Sequence, residues 1–206
     1  MPHILQGSFD LVQIVDAAVA SAYRRGGHHL VCRPGCTQCC HGVFSISHED
    51  AARLRDGLEA LKLSDPAKAH RIQIRTTDSL TRFVPLFPGN PHTGILAEDY
   101  ESSPLFADED SIGDTEPCPA LDPATGTCDL YEHRPIVCRT FGPPMRTADG
   151  NLATCELCYI HASTQEIEGS EVDPTLPALE QQSTEAFNAA HSTHGETIVA
   201  FALCDQ

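Results

Sequence analysis

The 206-residue sequence contains no tryptophan and has few other aromatic residues, so a hydrophobic core must come mainly from Leu, Ile, Val and Ala. Basic residues are scarce as well: 13 Lys and Arg stand against 29 Asp and Glu, and the formal net charge is -16. Proteins that bind nucleic acid need cations to oppose the phosphates. The charge balance therefore argues against a nucleic-acid partner and against binding to anionic membranes.

Long apolar runs are also missing, because no stretch approaches the roughly 20 apolar residues that a helix needs to cross a bilayer. The residues from Met1 to Gln6 lack the basic and apolar regions of a secretory signal. We therefore expect a cytoplasmic protein with no membrane partner. Because a reducing compartment disfavours structural disulfides, the even number of cysteines does not by itself indicate disulfide bonds.

Four stretches are predicted to be helices; the first, second and fourth carry apolar residues at helical spacing, whereas the apolar stripe of the third is poor. Ser8 and Ser47 are expected as N-caps of the first two helices, and Pro66 suits the first turn of the third. A turn at Asp149-Gly150 predicts one short β-hairpin, and the apolar end from Ile198 to Leu203 suits either a helix or a strand. The predicted helices cover about residues 9–25, 48–61, 66–83 and 177–191.

These patterns predict a small, mainly α protein that forms a single metal-binding domain over residues 1–206. Irregular cysteine-rich loops, organised around metal, are expected between the helices, with the cysteine-cluster core at 32–158. No Lys or Arg occurs between Phe83 and His133. The acidic part of that span predicts a mobile loop at about 98–116, and a lid over the site is the less favoured alternative.

The ten cysteines are concentrated in three groups, with Cys204 alone near the C-terminus. A tetrahedral ion needs four soft donors at roughly 2.3 Å, and short cysteine intervals supply two of them from one turn. We therefore expect the grouped cysteines to be metal ligands, in two four-ligand sites with one spare or in a polynuclear cluster. Cys204 is expected to be a bystander. The predicted ligands are Cys32, Cys36, Cys39 and Cys40, then Cys118, Cys128 and Cys138, and finally Cys155 and Cys158.

Two of these intervals permit other interpretations. The adjacent Cys39 and Cys40 are expected to point in different directions, so that they do not easily serve one ion together. A redox dithiol is an alternative for the pair Cys155-x-x-Cys158 when it is taken alone.

The first group also matches another class of enzyme in part. Cys32-x3-Cys36-x2-Cys39 has the spacing that holds the cluster of radical S-adenosylmethionine enzymes. However, Gln38 stands where an aromatic residue is usual, and the chain is short for the barrel of those enzymes. We therefore set this interpretation below simple metal chelation.

Taken together, the cysteine groups form a recognisable pattern. The segment Cys32–Cys40 is followed by Cys118-Pro-Ala-Leu-Asp122 and then by Cys128–Phe141, where tyrosine, Arg-Pro and Cys-Arg occur in order. This pattern resembles the YkgJ-like cysteine-cluster family, described as zinc- or iron-chelating domain proteins. The resemblance spans about Cys32 to Cys158, with Cys155 or Cys158 as the trailing cysteine. The first interval has three residues where the minimal family pattern has two.

The resemblance implies a metal-binding protein whose partners are metal ions. Zinc, at about two ions, is favoured over iron or an iron–sulfur cluster, although both suit all-thiolate donors. The first hypothesis is a binding module that chelates the metal, with no protein partner identified. A related group is associated with flagellin lysine methylation, which implies an iron–sulfur redox or methylase-like, protein-modifying enzyme as the alternative. The residues identify no S-adenosylmethionine site, so whether the chain is an enzyme stays open.

Charged residues near the cysteines have two interpretations each. Arg134 and Arg139 flank Cys138, and guanidinium groups there would oppose thiolate charge and hydrogen-bond to sulfur. An ordinary salt bridge to Asp or Glu is the equal alternative. His41 and His133 are replacement ligands that nine thiols make unnecessary, and His28-His29 is expected to form a solvated turn.

Overall fold

The computed structural model describes residues 3–107, 112–147 and 150–204. Helical segments make up 56 % of it, and the cysteines lie mostly in loops between them. This confirms the prediction of a mainly α fold. The α-helices are α1 (His3–Gly26), α2 (His48–Ser64), α3 (Pro66–Phe83), α4 (Pro104–Ala107), α5 (Ile112–Thr115), α6 (Ile136–Thr140), α7 (Thr164–Gly169), α8 (Leu176–His191) and α9 (Val199–Ala202).

The strands are two or three residues long and form antiparallel pairs. They are β1 (Ser45–Ser47), β2 (Gly89–Asn90), β3 (Ile95–Leu96), β4 (Leu121–Asp122), β5 (Thr127–Cys128), β6 (Met145–Arg146), β7 (Leu152–Ala153) and β8 (Glu196–Ile198). The pairs are β1 with β8, β2 with β3, β4 with β5, and β6 with β7. The predicted hairpin corresponds to β6 and β7, although its turn residue Asp149 lies outside the described residues.

The helix starts follow local chemistry at three of the four predicted positions. The Ser47 hydroxyl accepts a hydrogen bond from the Asp50 amide at 3.1 Å, as expected of an N-cap. Helix α3 begins at Pro66, and the Asp65 carboxylate caps it. Helix α8 begins at Leu176, one residue before the predicted start. Helix α1 begins at His3, so the prediction that Ser8 caps it was wrong.

The apolar C-terminal end contains both structures that its sequence allows. Strand β8 ends at Ile198, and helix α9 begins at the next residue. Ile198, Val199, Ala202 and Leu203 are all buried. The segment therefore serves first to pair with β1 and then to fill the core below α2 and α3.

The described residues fall into two units. Unit 1 consists of the described residues of Met1–Arg33 and Ile136–Ala190, and unit 2 consists of those of Pro34–Pro135 and His191–Gln206. A single domain over the whole chain therefore stays a prediction. None of the helices in the described part of the chain combines the length and apolar character that a bilayer crossing requires.

Unit 1 is built on one face of α1. Leu11, Val15, Val19 and Ala22 recur every three or four residues and pack around Ile136 at the start of α6. The α6 residue Arg139 is almost fully buried, and its guanidinium donates to both carboxylate oxygens of Asp16 on α1, at 3.0 and 2.8 Å. In this charge-assisted contact one Nη nitrogen donates to both oxygens, and it fixes α6 against α1.

Unit 2 is built on α2 and α3. Leu54 and Leu58 of α2 pack with Ile72 of α3 and Leu203 beyond α9. The thiols of Cys118 and Cys128 lie against the same core, among partly buried neighbours of that cluster. A second apolar cluster gathers Phe83, Phe87, Leu96, Leu105 and Ile198.

Helix α3 lacks a clear apolar stripe in the sequence because two hydroxyl residues occupy its buried face. The buried residues are Ala69, Ile72, Thr76, Ser79 and Phe83, at alternating intervals of three and four. The hydroxyls of Thr76 and Ser79 have no hydrogen-bond partner among the described residues. The small size of these side chains, rather than their polarity, suits them to this packed position.

The acidic segment 98–116 is partly helical where it is described, with 108–111 outside the described residues. Leu105 of α4 is buried in the second cluster of unit 2. The Tyr100 hydroxyl lies 2.9 Å from the Ser45 hydroxyl and 2.8 Å from a carboxylate oxygen of Glu196. These contacts attach the described part of the segment to β1 and β8.

The pair between α6 and α1 gives a first prediction. We expect Asp16→Asn to lower the free energy of unfolding by about 1–3 kcal/mol, because the buried Arg139 then loses a charged acceptor. Chemical denaturation followed by circular dichroism measures this change. Asp10→Asn, at an exposed position of the same helix, is the control and should stay within about 0.5 kcal/mol. Equal unfolding midpoints for the two variants would contradict the assignment.

Candidate metal centre

The nine grouped cysteines divide between the two units. Unit 1 contains Cys32, Cys138, Cys155 and Cys158, and unit 2 contains Cys36, Cys39, Cys40, Cys118 and Cys128. All ten cysteines lie in the described part of the chain, and each is an unbridged thiol. Cys204 is exposed at the end of unit 2.

In unit 2, a backbone contact joins the first two cysteine groups. Residues Gln38–Cys40 form a single 3-10 turn, in which the Cys40 amide donates to the Thr37 carbonyl at 2.8 Å. The Cys118 amide then donates to the Cys40 carbonyl, also at 2.8 Å. An isolated bridge between His41 and Pro117 extends this contact by one residue. Cys40 and Cys118 are thereby held side by side.

The β4–β5 hairpin adds Cys128 to this arrangement. Leu121 pairs with Cys128, and the Asp129 amide donates to the Ala120 carbonyl at 2.8 Å. The turn glycine, Gly126, has a φ of 67° and packs so closely that a Cβ atom there would lie 3.3 Å from the Cα of Gly35. The hairpin turn therefore lies directly beside the residues that flank Cys36.

Arg75 of α3 fixes both arms of the hairpin region. Its Nε donates to the Pro119 carbonyl and one Nη donates to the Asp129 carboxylate, each at 2.7 Å. The Asp129 side chain is only 4 % exposed, so its charge needs this partner. Pro119 and Asp129 directly follow Cys118 and Cys128, and one guanidinium thus sets the separation of the two cysteine-bearing segments.

The adjacent thiols of Cys39 and Cys40 interact with each other. A hydrogen bond from the Cys40 thiol lowers the pKa of Cys39 to about 6, helped by the Cys39 amide and by the charges of Arg134 and His41. The same bond, together with burial and the nearby thiols of Cys118 and Cys128, raises the pKa of Cys40. The two thiols therefore lie within reach of each other, and the expectation that they do not easily serve one ion together stays a prediction.

The other two thiols of this set are held in their neutral form. Burial raises the pKa of Cys118 to about 12, against amide hydrogen bonds from Ala120 and Leu121 and with a further rise from Cys128. Burial also raises the pKa of Cys128, although the Leu130 amide and Arg134 act in the opposite direction. Cys39, Cys40, Cys118 and Cys128 thus lie close enough for the charge of one to affect the others.

Of the two arginines singled out from the sequence, Arg134 acts on thiols in unit 2. Its charge lowers the pKa of Cys39 and of Cys128. Its guanidinium lies 3.8 Å from the ring centroid of Tyr131 and donates to the Tyr131 carbonyl at 2.8 Å. Arg139 instead makes the ordinary ion pair with Asp16 described above, which was the alternative for both arginines.

The two histidines near the cysteine groups, His41 and His133, make different contacts. A ring nitrogen of His41 lies 3.0 Å from the Thr37 carbonyl oxygen. The ring of His133 packs against Gly57 of α2, where a Cβ atom would lie 2.5 Å from the ring. Gly57 therefore makes room for His133.

In unit 1, three thiols lie together. The sulfur atoms of Cys32 and Cys158 are 3.9 Å apart. Burial raises the pKa of Cys158 to about 11, with contributions from the charges of Cys32 and Cys155 and an opposing hydrogen bond from the Val31 amide. Cys155 and Cys158 are both buried, and Cys32 packs against them with Leu30. Cys138 lies on α6 in the same unit.

Several residues near the thiols of the two units were missed or misjudged from the sequence: His29, the pair Ser163 and Glu166, and Arg75. His29 is only 15 % exposed, stacks on Tyr159 at a centroid distance of 5.5 Å and lies 3.4 Å from the Glu166 carboxylate. The predicted turn is present as the 3-10 turn Gly27–His29 with His28 exposed, but the His29 ring is largely covered. Ser163 and Glu166 form a full capping box at the start of α7, a signal that the Ser-x-x-Glu spacing could have revealed. Nothing in the sequence pattern marks Arg75 as the partner of Asp129.

The donor chemistry suits a soft metal ion, since thiols from separate segments lie in contact within each unit. The side chains are not arranged as a finished ligand set. Among the described residues, no three His, Cys, Asp or Glu side chains converge as ready-made metal ligands. The fit to metal therefore rests on donor type and proximity.

A second prediction follows from the position of Arg75. We expect Arg75→Met to lower the free energy of unfolding by about 1–3 kcal/mol, because the buried Asp129 carboxylate loses its main partner. The same variant should bind less metal, since Cys118 and Cys128 lose their fixed separation. Denaturation and elemental analysis measure the two effects. Arg71→Met, on an exposed face of the same helix, should leave stability and metal content unchanged. If the two variants responded alike, the role assigned to Arg75 would be contradicted.

A third prediction concerns Cys39, whose pKa lies at about 6. A lowered pKa means that the thiolate is present above that pH and is lost as the pH falls through it. In reduced, metal-free protein, the rate of Cys39 alkylation should therefore rise to a plateau with a midpoint near pH 6, as read by peptide mass spectrometry. In the unfolded chain the midpoint should return to about 8.5.

A variant of Arg134, the arginine beside Cys39, provides a second test of this pKa. Arg134→Gln removes one of the charges that favour the thiolate, so the alkylation midpoint should move upward. A Cys39 midpoint that is the same in the folded and unfolded protein would disprove the assigned contact with Cys40.

Comparison with known proteins gives one match. A family model, CxxCxxCC, with the description "Putative zinc- or iron-chelating domain", matches residues 31–158. No curated protein and no solved structure shows a significant similarity to the chain. The matched segment begins one residue before Cys32, ends at Cys158 and covers more than half of the sequence. The chain belongs to the CxxCxxCC family of zinc- or iron-chelating domains.

Proposed function

We propose that the chain chelates zinc or iron through thiolates of its grouped cysteines, with zinc at about two ions as the favoured metal. The observation that carries the proposal is the convergence of three cysteine-bearing segments in unit 2: the Cys118 amide donates to the Cys40 carbonyl at 2.8 Å, and Cys128 pairs with Leu121 in the hairpin that follows Cys118. Thiolates brought this close repel one another. A bound dication would offset that repulsion and make the deprotonated state the stable one.

The surrounding residues have defined tasks in this proposal. Arg75 and the Cys118–Cys40 backbone bond hold the segments in place. Arg134 supplies a positive charge beside Cys39 and Cys128. The core of α2, α3 and α9 supports Cys118 and Cys128 from below. A bound metal would supply the attraction that closes the thiols into one ligand set.

The small cavity beside Cys118 supports chelation there. The cavity lined by Cys118, Pro117 and Ser79 has a volume of about 20 Å³, which admits one water molecule. Ligand pockets for small molecules usually measure at least ~300 Å³, so a cofactor of the size of S-adenosylmethionine does not fit there. A wider groove of about 770 Å³ lies in the same unit, but residues such as Asn90, Asp99 and His194 line it rather than the thiols.

The fourth prediction tests the proposal by metal content and stability. Protein purified without oxygen should be colourless and carry about two zinc ions per chain. Removing the metal should lower the Tm by roughly 10–20 °C, which corresponds to a loss of about 5 kcal/mol for a chain of this size. Elemental analysis, a visible spectrum and calorimetry measure these quantities.

Variants and colour distinguish the other outcomes. Cys128→Ser should reduce the metal content, whereas Cys204→Ser, at the exposed cysteine outside the three groups, should leave it unchanged. A brown protein with broad visible absorption would replace zinc by an iron–sulfur cluster. An unchanged Tm for protein verified to be metal-free would refute coupling between metal and fold.

A further inference from the structure

We propose that unit 1 contains a metal centre of its own, formed by Cys32, Cys155 and Cys158 with Cys138 as the fourth donor. This centre takes one soft divalent ion, and it fills independently of the thiols in unit 2. The inference rests on the proposed metal-binding function and deepens it, because it divides nine thiols into a set of four in unit 1 and a set of five in unit 2. The spare thiol of the nine then belongs to unit 2.

The separation of two sulfur atoms supports a shared ion. Two thiolates on one tetrahedral zinc, each at about 2.3 Å from the metal, are ~3.8 Å apart along the edge of the tetrahedron. The Cys32 and Cys158 sulfur atoms are 3.9 Å apart. They come from segments that are remote in sequence, so the tertiary fold of unit 1 alone produces this spacing.

The backbone around Cys155 and Cys158 has the features of a ligand-bearing turn. The Cys158 amide donates to the Cys155 carbonyl at 2.9 Å, which closes the turn. The Val31 amide donates to the Cys158 sulfur, and amide hydrogen bonds of this kind stabilise metal-bound thiolates. Val31 directly precedes Cys32, so the amide that donates this hydrogen bond and the Cys32 thiol lie on the same segment of the chain.

Tyr159 holds an unfavourable conformation directly after the turn. Its φ is 58°, a region that residues with a Cβ atom seldom adopt. Its amide donates to the His29 carbonyl at 3.0 Å, and its ring is buried against His29. Strained residues persist when their surroundings hold them and are concentrated at ligand sites. Here the strain serves to place Cys158 beside Cys32.

Gly142 keeps the space next to the Cys32 sulfur open. A Cβ atom on Gly142 would lie 3.1 Å from that sulfur, and its φ of 118° also favours glycine. The Gly142 carbonyl accepts the Cys155 amide at 3.3 Å. Gly142 follows α6, which carries Cys138, by two residues. The remaining thiol of unit 1, Cys138, is thus on the segment that leads past the Cys32 sulfur at Gly142 and on to Cys155 and Cys158.

The test uses the full chain, reduced and purified without oxygen, and zinc as the probe. We compare wild type, Cys155→Ser/Cys158→Ser, Cys39→Ser/Cys128→Ser and Cys204→Ser by elemental analysis after gel filtration. Wild type and Cys204→Ser should carry about two ions, and each double variant should lose about one and keep the other. Circular dichroism verifies that each variant is folded.

The outcomes separate the inference from the proposed function. A Cys155→Ser/Cys158→Ser protein that still carries two ions, or a folded one that loses both, overturns the independent centre. In the first case the proposed function stands. A wild-type protein that binds no zinc or iron overturns both.

A second measurement uses the wild-type protein alone, so it does not depend on whether a variant folds. In metal-loaded wild type, Cys32, Cys138, Cys155 and Cys158 should be protected from alkylation as one group and become reactive together as a chelator is titrated. Protection of the other three without Cys138 overturns the four-thiol assignment. A disulfide between Cys155 and Cys158, or between Cys32 and Cys158, in protein prepared without oxygen overturns the metal centre in favour of a redox dithiol.

Discussion

The hydrogen bond from the Cys118 amide to the Cys40 carbonyl connects segments that are far apart in the sequence. Together with the adjoining His41–Pro117 bridge and the bond from the Gly42 amide to the Glu116 carbonyl at 3.0 Å, it fixes the turn that carries Cys39 and Cys40 relative to the segment that leads into the hairpin of Cys128. The bond is a main-chain contact, so it does not consume a thiol. Backbone groups and one arginine thereby bring the sulfur atoms together, and the sulfur atoms stay available for chemistry.

Charge is the cost of that arrangement. The hydrogen bond with Cys39 and burial raise the pKa of Cys40, burial raises the pKa of Cys128, and the charge of Cys39 adds to both. The chain as a whole is already strongly negative. Arg134 offsets part of this cost at Cys39 and Cys128, and Arg75, although paired with Asp129, offsets a smaller part at Cys118. A cation placed among the thiols would reduce the repulsion far more than either arginine, because it acts on several sulfur atoms at short range.

Local signals in the sequence predicted the elements that depend on neighbours along the chain. Ser47, Asp65 and Pro66 start helices because capping involves residues only three positions apart. The cysteine groups, likewise, were visible as spacings. Apart from the β6–β7 hairpin, which its turn residues indicated, the short strand pairs escaped prediction because strands of two or three residues carry no alternating pattern. The partners of Arg75 and His29 depend on the tertiary fold, and no periodicity encodes them.

The two units are interleaved along the chain. Unit 1 is formed by the first segment of the chain and by a later segment. Unit 2 is formed by the segments that precede and follow that later one in the sequence, and these contribute its paired strands β1 and β8. Two of the crossings, Arg33–Pro34 and Pro135–Ile136, fall inside cysteine motifs. Neither unit is therefore a contiguous piece that recombination could transplant intact. The additional residue between Cys32 and Cys36 lies at one of these boundaries, Arg33–Pro34. A change in chain length there alters the connection between the units and leaves the turns that carry the sulfur atoms unchanged.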